Sequence, residues 1–433
     1  VRPRLHLTIA WLLLGVVVVA TTGIAVRYFD GHDFVNNVWA PIRGLLAGYN
    51  PYDPHDVGYL DRYAVPIVAG LYVPAALLLH APLALLSRTG AAVVMALLDA
   101  LMIWGGVLLL IPPQTVRSTV VAALAGAVVL MSAAAQHTIS LAQLSAEAFL
   151  GFALVVATLG RGVSPRGDAA PGKRAAGLWV TAIGATLVCL KPQSAIPMLV
   201  VLGALGYWRV LGRVALVLMV MSLPGALLFV RAAGSAPAIA QTVRGNLALV
   251  GSLPPVFLGN VNNLRVDGLG IVSQLRGPAL FELVWMGVAF GASTLLFLLA
   301  LYGRRARSPV TLGDPYVATL ASLYVVGSLY HLTYDQILLY VGPLAAFGAL
   351  MREDEPSRAT EVIAGGGLVL AACGLMFRTG FRNLMMVRGL DPLAVHQAWV
   401  AGPTLIAAGI VVAATVADLL KERTSARARS ERQ

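Results

Sequence analysis

Two carboxylates are the residues best placed to do chemistry. Asp30 and Asp33 stand just past an apolar run at 7–26 and open a polar stretch, 27–66, that holds five aspartates and two histidines in a chain of which only 12% is charged. A carboxylate held at a bilayer surface can take the proton from a sugar hydroxyl presented there. Asp33 has a second reading as a helix cap, because the amphipathic stretch Phe34–Leu46, with Trp39 and Arg43 at helical spacing, follows it directly. The turn Gly48-Tyr-Asn-Pro-Tyr-Asp53 reverses the chain by its Asn-Pro and Asp-Pro steps, and Tyr52 and Asp53 could also touch a substrate. Lys191, followed by Pro192, interrupts two apolar runs. Its ammonium must be paired, with a phosphate or a carboxylate, or must snorkel to the interface. His331, Asp335 and Gln336 lie together at the end of another apolar run, where His and Asp four apart share a face of any helical turn. Gln136, His137 and Gln143 flank a short turn and either contact sugar hydroxyls or satisfy helix ends. Arg265 lies in a long polar loop, 232–278, among Arg244, Asn246, Asn260, Asn262, Asn263 and Asp267. No spacing suits a metal site, and no nucleotide-binding glycine pattern occurs.

Helices must position these groups. The chain is 58% hydrophobic with repeated continuous apolar runs, which predicts an all-α polytopic membrane protein and argues against a barrel. Spans are expected near 7–26, 90–111, 119–135, 146–160, 176–190, 194–208, 214–230, 279–302, 315–330, 337–351, 361–377 and 401–420, about twelve in one integral membrane domain, 1–433. The net charge of +11 is read as arginine anchoring in cytoplasmic loops, not as nucleic-acid binding. The arginine-rich loop 161–174, the tail at 303–307 and the basic C-terminal tail 421–433 are placed in the cytoplasm with both termini. Segment 67–86, broken by Pro74 and Pro82, is then interfacial or re-entrant. The region 27–89 becomes an extracytoplasmic loop with interfacial helices, and 232–278 a second long loop on that face. The 27–66 stretch, the turn at 136–147, Lys191-Pro192, the 232–278 loop, 331–336 and 378–400 all fall on the same, extracytoplasmic side. Cys189 and Cys373 lie in apolar runs and suggest buried thiols without a disulfide framework. Lysine is scarce beside arginine, which suggests a GC-rich bacterial genome, with Val1 read from a GTG start codon. The first apolar run is read as a retained span, not a cleaved leader.

Several of these pieces, in order, resemble the bacterial membrane glycosyltransferases of the GT-C class, family 87 (the DUF2029 group), which includes polyprenyl-phosphomannose-dependent mannosyltransferases and some arabinofuranosyltransferases of actinobacteria. The pieces are Asp33-Phe34 to Trp39, the Leu45 to Asp53 stretch, Tyr72-Val73-Pro74 with Pro82, Ala142-Gln143, Lys191-Pro192 and Tyr334-Asp335-Gln336. Three positions depart from the family pattern: Val73 stands for a proline, Ala142 for a glycine and Gln336 for a histidine, whose role either falls to His331 one turn earlier or is absent. The resemblance implies that Asp33 is the catalytic base and that the short helices of the first outer loop are juxtamembrane. The expected activity is inverting transfer of a sugar, mannose first and arabinofuranose second, from a polyprenyl-phosphate donor to a cell-envelope glycolipid or glycan. Lys191, His331, Asp335, Gln336 and Arg265 then hold the donor, and Asp30, Tyr52, Asp53, Tyr72, Gln143 and His137 contact the acceptor or sugar. Membrane lipids are the surroundings, and no cofactor or metal is implied, since the leaving group is a lipid phosphate. The implied location is the bacterial cytoplasmic membrane with an extracytoplasmic site. The rival reading is a polytopic lipid or solute transporter, which calls for an internal repeat and charged residues at mid-membrane. No repeat is visible.

Overall fold

A computed structural model of the 433-residue chain describes residues 8, 11–12, 15–20, 23, 34–51, 53, 72–160, 171–252, 283–306, 310–329, 333–352, 356–376 and 392–430. Every regular element among them is helical. The first is the expected amphipathic stretch, a π-helical turn, Val35–Trp39, running into α1, Ala40–Leu46. Gly48, at φ +87°, ends it: the Tyr49 N–H reaches the Gly44 carbonyl at 2.9 Å and the Gly48 N–H the Leu45 carbonyl at 3.1 Å. Glycine meets this left-handed position without a Cβ clash. The apolar stripe of α1 faces protein: Phe34, Val38, Trp39, Ile42 and Leu45 are buried with Ala75, Ala76, Leu77 and Met95. The Trp39 indole N–H donates to the Leu86 carbonyl at 3.3 Å.

Pro74 starts α2, Pro74–His80, after an extended Val73, and the chain continues as a 3₁₀ turn, Ala81–Leu85. A proline at the first helical position lacks only an N–H that would have no helical partner. At 1.5 Å per residue these twelve residues reach about 18 Å, short of a hydrocarbon core of about 30 Å. The longer elements follow: α3, Arg88–Leu110, capped by Ser87; α4, Val116–Met131, opened by a Thr115–Ser118 capping box; α5, Ala133–Leu141, capped by Ser132; and α6, Ser145–Gly160. Then come α7, Pro171–Cys189; α8, Pro192–Ala204; α9, Trp208–Ala233; and α10, Ala236–Ser252. The chain ends with α11, Leu283–Arg305; α12, Pro315–Ser328; a 3₁₀ segment, Thr333–Tyr340; α13, Val341–Leu350; α14, Arg358–Met376; and α15, Pro392–Ser430.

Among the described residues five helices are long and apolar enough to cross a bilayer: Arg88–Leu110, Trp208–Ala233, Gly287–Arg305, Arg358–Leu375 and Ala401–Lys421. A sixth is the α4–α5 pair if its 65° bend lies within one span. Several expected spans, among them 146–160, 315–330 and 337–351, are instead shorter apolar helices, and their residues are largely buried in protein. The chain is an all-α, multi-pass membrane protein whose short helices form the centre. Around them α9 and α11 turn Leu216, Met219, Leu223, Leu295, Leu296 and Leu299 outward, as a lipid-facing helix should. The expected first span, 7–26, lies mostly outside the described residues. Of it, Trp11 meets the Trp104 ring edge-on at 5.3 Å.

Close backbone approach holds the centre together. A Cβ on Gly184 of α7 would stand 2.7 Å from the Gly151 carbonyl of α6, and one on Gly151 would stand 2.3 Å from the Gly184 carbonyl. Small residues let membrane helices approach this closely. At another point Arg304 ties three helices. Its guanidinium pairs with Asp314, the cap of α12, at 3.1 Å and with Asp418 of α15, and lies 5.0 Å over the Tyr316 ring.

Candidate functional site

The site grows from the start of α6. Before it, α5 ends on Ala142, whose φ of +52° is the only left-handed value at a non-glycine among the described residues. A β-carbon makes that conformation unfavourable by roughly 1–2 kcal/mol. It is also the position at which the family pattern has glycine. The turn is closed by the Gln143 N–H on the Thr138 carbonyl at 3.0 Å, and it aims the buried Gln143 amide at Tyr72, whose hydroxyl donates to Oε1 at 3.4 Å.

Two residues on, Ser145 joins a buried ion pair. Lys191 is the N-cap of α8, held in extended backbone before Pro192. Its Nζ donates to Ser145 Oγ at 2.8 Å and pairs directly with Asp335 Oδ1, and Ser145 Oγ donates to the same carboxylate oxygen at 2.7 Å. Both charged side chains are 1% exposed. Asp335 lies in the first turn of the 3₁₀ segment before α13, with Gln336 buried beside it. The Lys-Pro and Tyr-Asp-Gln segments, 144 residues apart in sequence, therefore meet in one contact.

Another buried cluster lies on the other side of the same helix start. Glu147, in the first turn of α6, bonds through Oε1 to His80 Nε2 at 2.9 Å. His80 Nδ1 lies 2.7 Å from the Ala76 carbonyl, and the Phe34 ring meets the imidazole edge-on at 5.9 Å. Burial lowers the His80 pKa, but the bond to Glu147, its charge and the Ala76 carbonyl outweigh that and raise it above 6.5. Asp99 of α3 is the third member. It is fully buried, Glu147 acts on it electrostatically, and neither of its carboxyl oxygens has a hydrogen-bond partner among the described residues. Among the described residues Glu147 Oε2 has none either. A Cβ on Gly105 would touch Leu150, and one on Gly106 would strike Phe149 and approach Ala153, so the first half of α6 packs on the C-terminal half of α3. Asp99 stands twelfth of the 23 residues of that span.

Of the residues singled out in the sequence, the structure brings together Tyr72 with Gln143 and Lys191 with Asp335. Asp53 closes a turn, its N–H on the Asn50 carbonyl at 3.1 Å, while the Asn50 amide donates to Thr242 of α10 at 3.2 Å. His137 is half-buried on α5. Asp30, Asp33, Tyr52, Arg265 and His331 lie outside the described residues. Of the sequence readings of Lys191, pairing with a carboxylate is the one seen; the buried ammonium does not snorkel, and a phosphate would have to share it with Asp335. Sequence reasoning passed over Ser145, His80, Glu147 and Asp99. Asp99 carried a readable signal, a lone carboxylate at the centre of an apolar run.

No family model matches the chain, and no curated protein does. Among solved structures, the crystal structure of ArnT from Cupriavidus metallidurans bound to undecaprenyl phosphate is similar at a TM-score of 0.41 and 13% identity, over 93% of this chain and 77% of that one. A likeness of that size leaves the function to be argued from the site.

Proposed function

We propose that this protein is an inverting glycosyltransferase that moves a sugar from a polyprenyl-phosphate donor to a hydroxyl of a cell-envelope glycolipid or glycan. One observation supports the reading most. Four segments that carry the resemblance to the family 87 enzymes meet within three residues at the start of α6: Tyr72 bonds Gln143 just before it, and Lys191 and Asp335 meet on Ser145, its first residue. A random set of weak sequence matches has no reason to share one helix end.

The chemistry follows from the groups. Asp33 takes the proton of the acceptor hydroxyl, whose oxygen attacks the anomeric carbon from the face opposite the phosphate. One displacement inverts that carbon and releases the lipid phosphate with the bonding electron pair. Lys191 supplies positive charge for the leaving group, with His331 and Arg265 as further donors, while Asp335 and Ser145 fix where the ammonium sits. Gln336 and Asp335 face the donor, and Asp30, Tyr52, Asp53, Tyr72, Gln143 and His137 the acceptor or sugar. The leaving group is already a phosphate ester, so no nucleotide or metal enters the scheme. Mannose is the preferred sugar and arabinofuranose the next. The site faces away from the cytoplasm, in the bacterial inner membrane, with both termini inside.

A second reading, a lipid or solute transporter, is favoured by one observation: Asp99 lies buried and unpaired at the middle of a span. Purified protein in lipid nanodiscs, given a panel of polyprenyl-phosphate sugars and an envelope glycolipid extract, separates the two. Transfer from one donor, lost in Asp33→Asn, is the expected result. Donor binding without transfer or donor hydrolysis would refute the enzyme reading and leave the transporter.

A further inference from the structure

We propose that a groove between α8, α9 and α11 binds one anionic glycerophospholipid, with an acyl chain along its apolar walls and the phosphate on Arg305. Such a lipid is neither donor nor acceptor, and its site stands whether or not the protein transfers sugar.

The groove has a volume of about 560 Å³, between Ile196, Leu199 and Gly203 of α8, Trp208 and Leu211 of α9, and Leu298 of α11. Its lining side chains are apolar but for the Trp208 indole N–H. Gly203 keeps it open. A Cβ there would lie 3.6 Å from the Trp208 ring and 3.8 Å from Leu211, so a larger side chain would enter the space those two border. Among the described residues α9 and α11 are the least buried of the candidate spans, and this surface therefore faces hydrocarbon. In hydrocarbon an apolar face alone selects no lipid. The polar end of the groove has to do that.

At that end α8 stops in a turn at Gly206, φ +80°, whose N–H bonds the Gly203 carbonyl at 2.9 Å, while the Tyr207 N–H bonds the Leu202 carbonyl at 2.9 Å. The carbonyl of Ala204, which also lines the groove, goes to Arg305 instead: Nη2 donates to it at 2.8 Å. This bond fixes the guanidinium and uses one of its five N–H groups. The others have no partner among the described residues, and the side chain is exposed. Arg305 follows Leu298 by about two helical turns, so it leaves α11 on the groove face. Trp208, 69% exposed, places its ring at the same end, where an amphipathic indole sits between acyl chain and headgroup. Arg209 is exposed there as well. Asp314 and Asp418 are both held by Arg304, so among the described residues no carboxylate neutralises Arg305.

A fixed guanidinium with donors to spare, beside an apolar groove, matches a phosphodiester joined to an acyl chain. Charge selects an anionic lipid over a zwitterionic one, whose own cation the arginines would repel. The 303–307 stretch is also the one that the positive-inside rule puts in the cytoplasm, where the leaflet surface is negative. The donor phosphate belongs elsewhere. Lys191 caps the opposite end of α8, and the 13 residues between span about 20 Å. A second copy of this chain would cover the apolar walls but bring nothing for the arginines.

The test is native mass spectrometry of the purified full chain, released from mixed micelles that hold equal amounts of phosphatidylglycerol and phosphatidylcholine with the same acyl chains. Wild type should retain one phosphatidylglycerol per chain, preferred about fivefold, the effect of roughly one charge near a membrane surface. Arg305→Gln keeps an amide N–H for the Ala204 carbonyl and loses the charge, so its preference should fall to parity. Gly203→Leu fills the groove and should lose the adduct with either lipid. Arg231→Gln, at an exposed arginine in the last turn of α9, should behave as wild type. Melting curves matching wild type certify each fold. Equal retention of the two lipids by wild type, a preference that survives Arg305→Gln, or one lost equally in Arg231→Gln overturns the proposal. Displacement of phosphatidylglycerol by added undecaprenyl phosphate would assign the groove to a polyprenyl chain, and a lipid-free dimer would assign it to a second copy. Either result overturns the proposal too.

Discussion

Removing one partner of the Lys191–Asp335 pair should be far more damaging than removing both. Each side chain is 1% exposed, so water screens neither. Lys191→Met leaves the Asp335 carboxylate with Ser145 as a remaining donor, and Asp335→Leu leaves an ammonium among helix ends. Breaking a buried pair in this way destabilises by about 3–5 kcal/mol, whereas replacing both members with apolar groups of similar volume is often neutral. The double variant Lys191→Met/Asp335→Leu should therefore recover most of the loss, with a coupling energy of about 6–10 kcal/mol, close to the sum of the two single losses. Equilibrium unfolding of the four proteins in mixed micelles measures it. Additive losses, or single variants within about 1 kcal/mol of wild type, would refute the reasoning from burial. The double variant also separates structure from chemistry. If Lys191 serves only to tie α6, α8 and the 3₁₀ segment, the stable double variant transfers sugar normally. If it carries charge for the leaving group, the double variant folds and is inactive.

Asp33→Asn should reduce transfer by about 10²–10⁴-fold with donor binding retained, the usual contribution of a general base, as read in single-turnover assays. Ala142→Gly should raise stability by up to about 1–2 kcal/mol, because only the β-carbon opposes φ +52° there; a destabilised variant would count against the turn. Gly184→Val should lower stability by about 1–3 kcal/mol or more, since a β-carbon meets the Gly151 carbonyl at 2.7 Å, and unfolding midpoints will show it. His80 has its folded pKa raised above 6.5, so its share of stability is full below about pH 6.5 and is lost as pH rises through the folded value. Melting temperature should fall over that alkaline range in the wild type and stay flatter in His80→Gln.

The class of fold was legible because apolar runs and prolines are local signals. Pro74 and Pro192 each open a helix where the sequence breaks an apolar run, Pro315 opens one after a polar loop, and Gly48 ends α1 as its turn residues imply. Span lengths were less legible. The stretch at 315–330 is as apolar as a crossing helix, yet α12 stops at Ser328 with its residues buried. Hydropathy cannot tell lipid from an apolar protein interior. In the site, Lys191 and Asp335 were each suspected alone, but no local pattern joins residues 144 apart. Ser145 and Glu147 escaped because a serine or a glutamate near a helix start is ordinarily a cap or a dipole partner. Only their buried neighbours give them another task.

The Arg304 clasp bears on how the protein is made. Arg304 and Asp314 leave the ribosome almost together, but Asp418 follows 114 residues after the arginine. Through that interval α11 and α12 share one ion pair, and the second forms only when the last helix arrives. α15 thus acts as a latch on helices made before it. A chain stopped short of Asp418 would leave Arg304 with one of these two carboxylates.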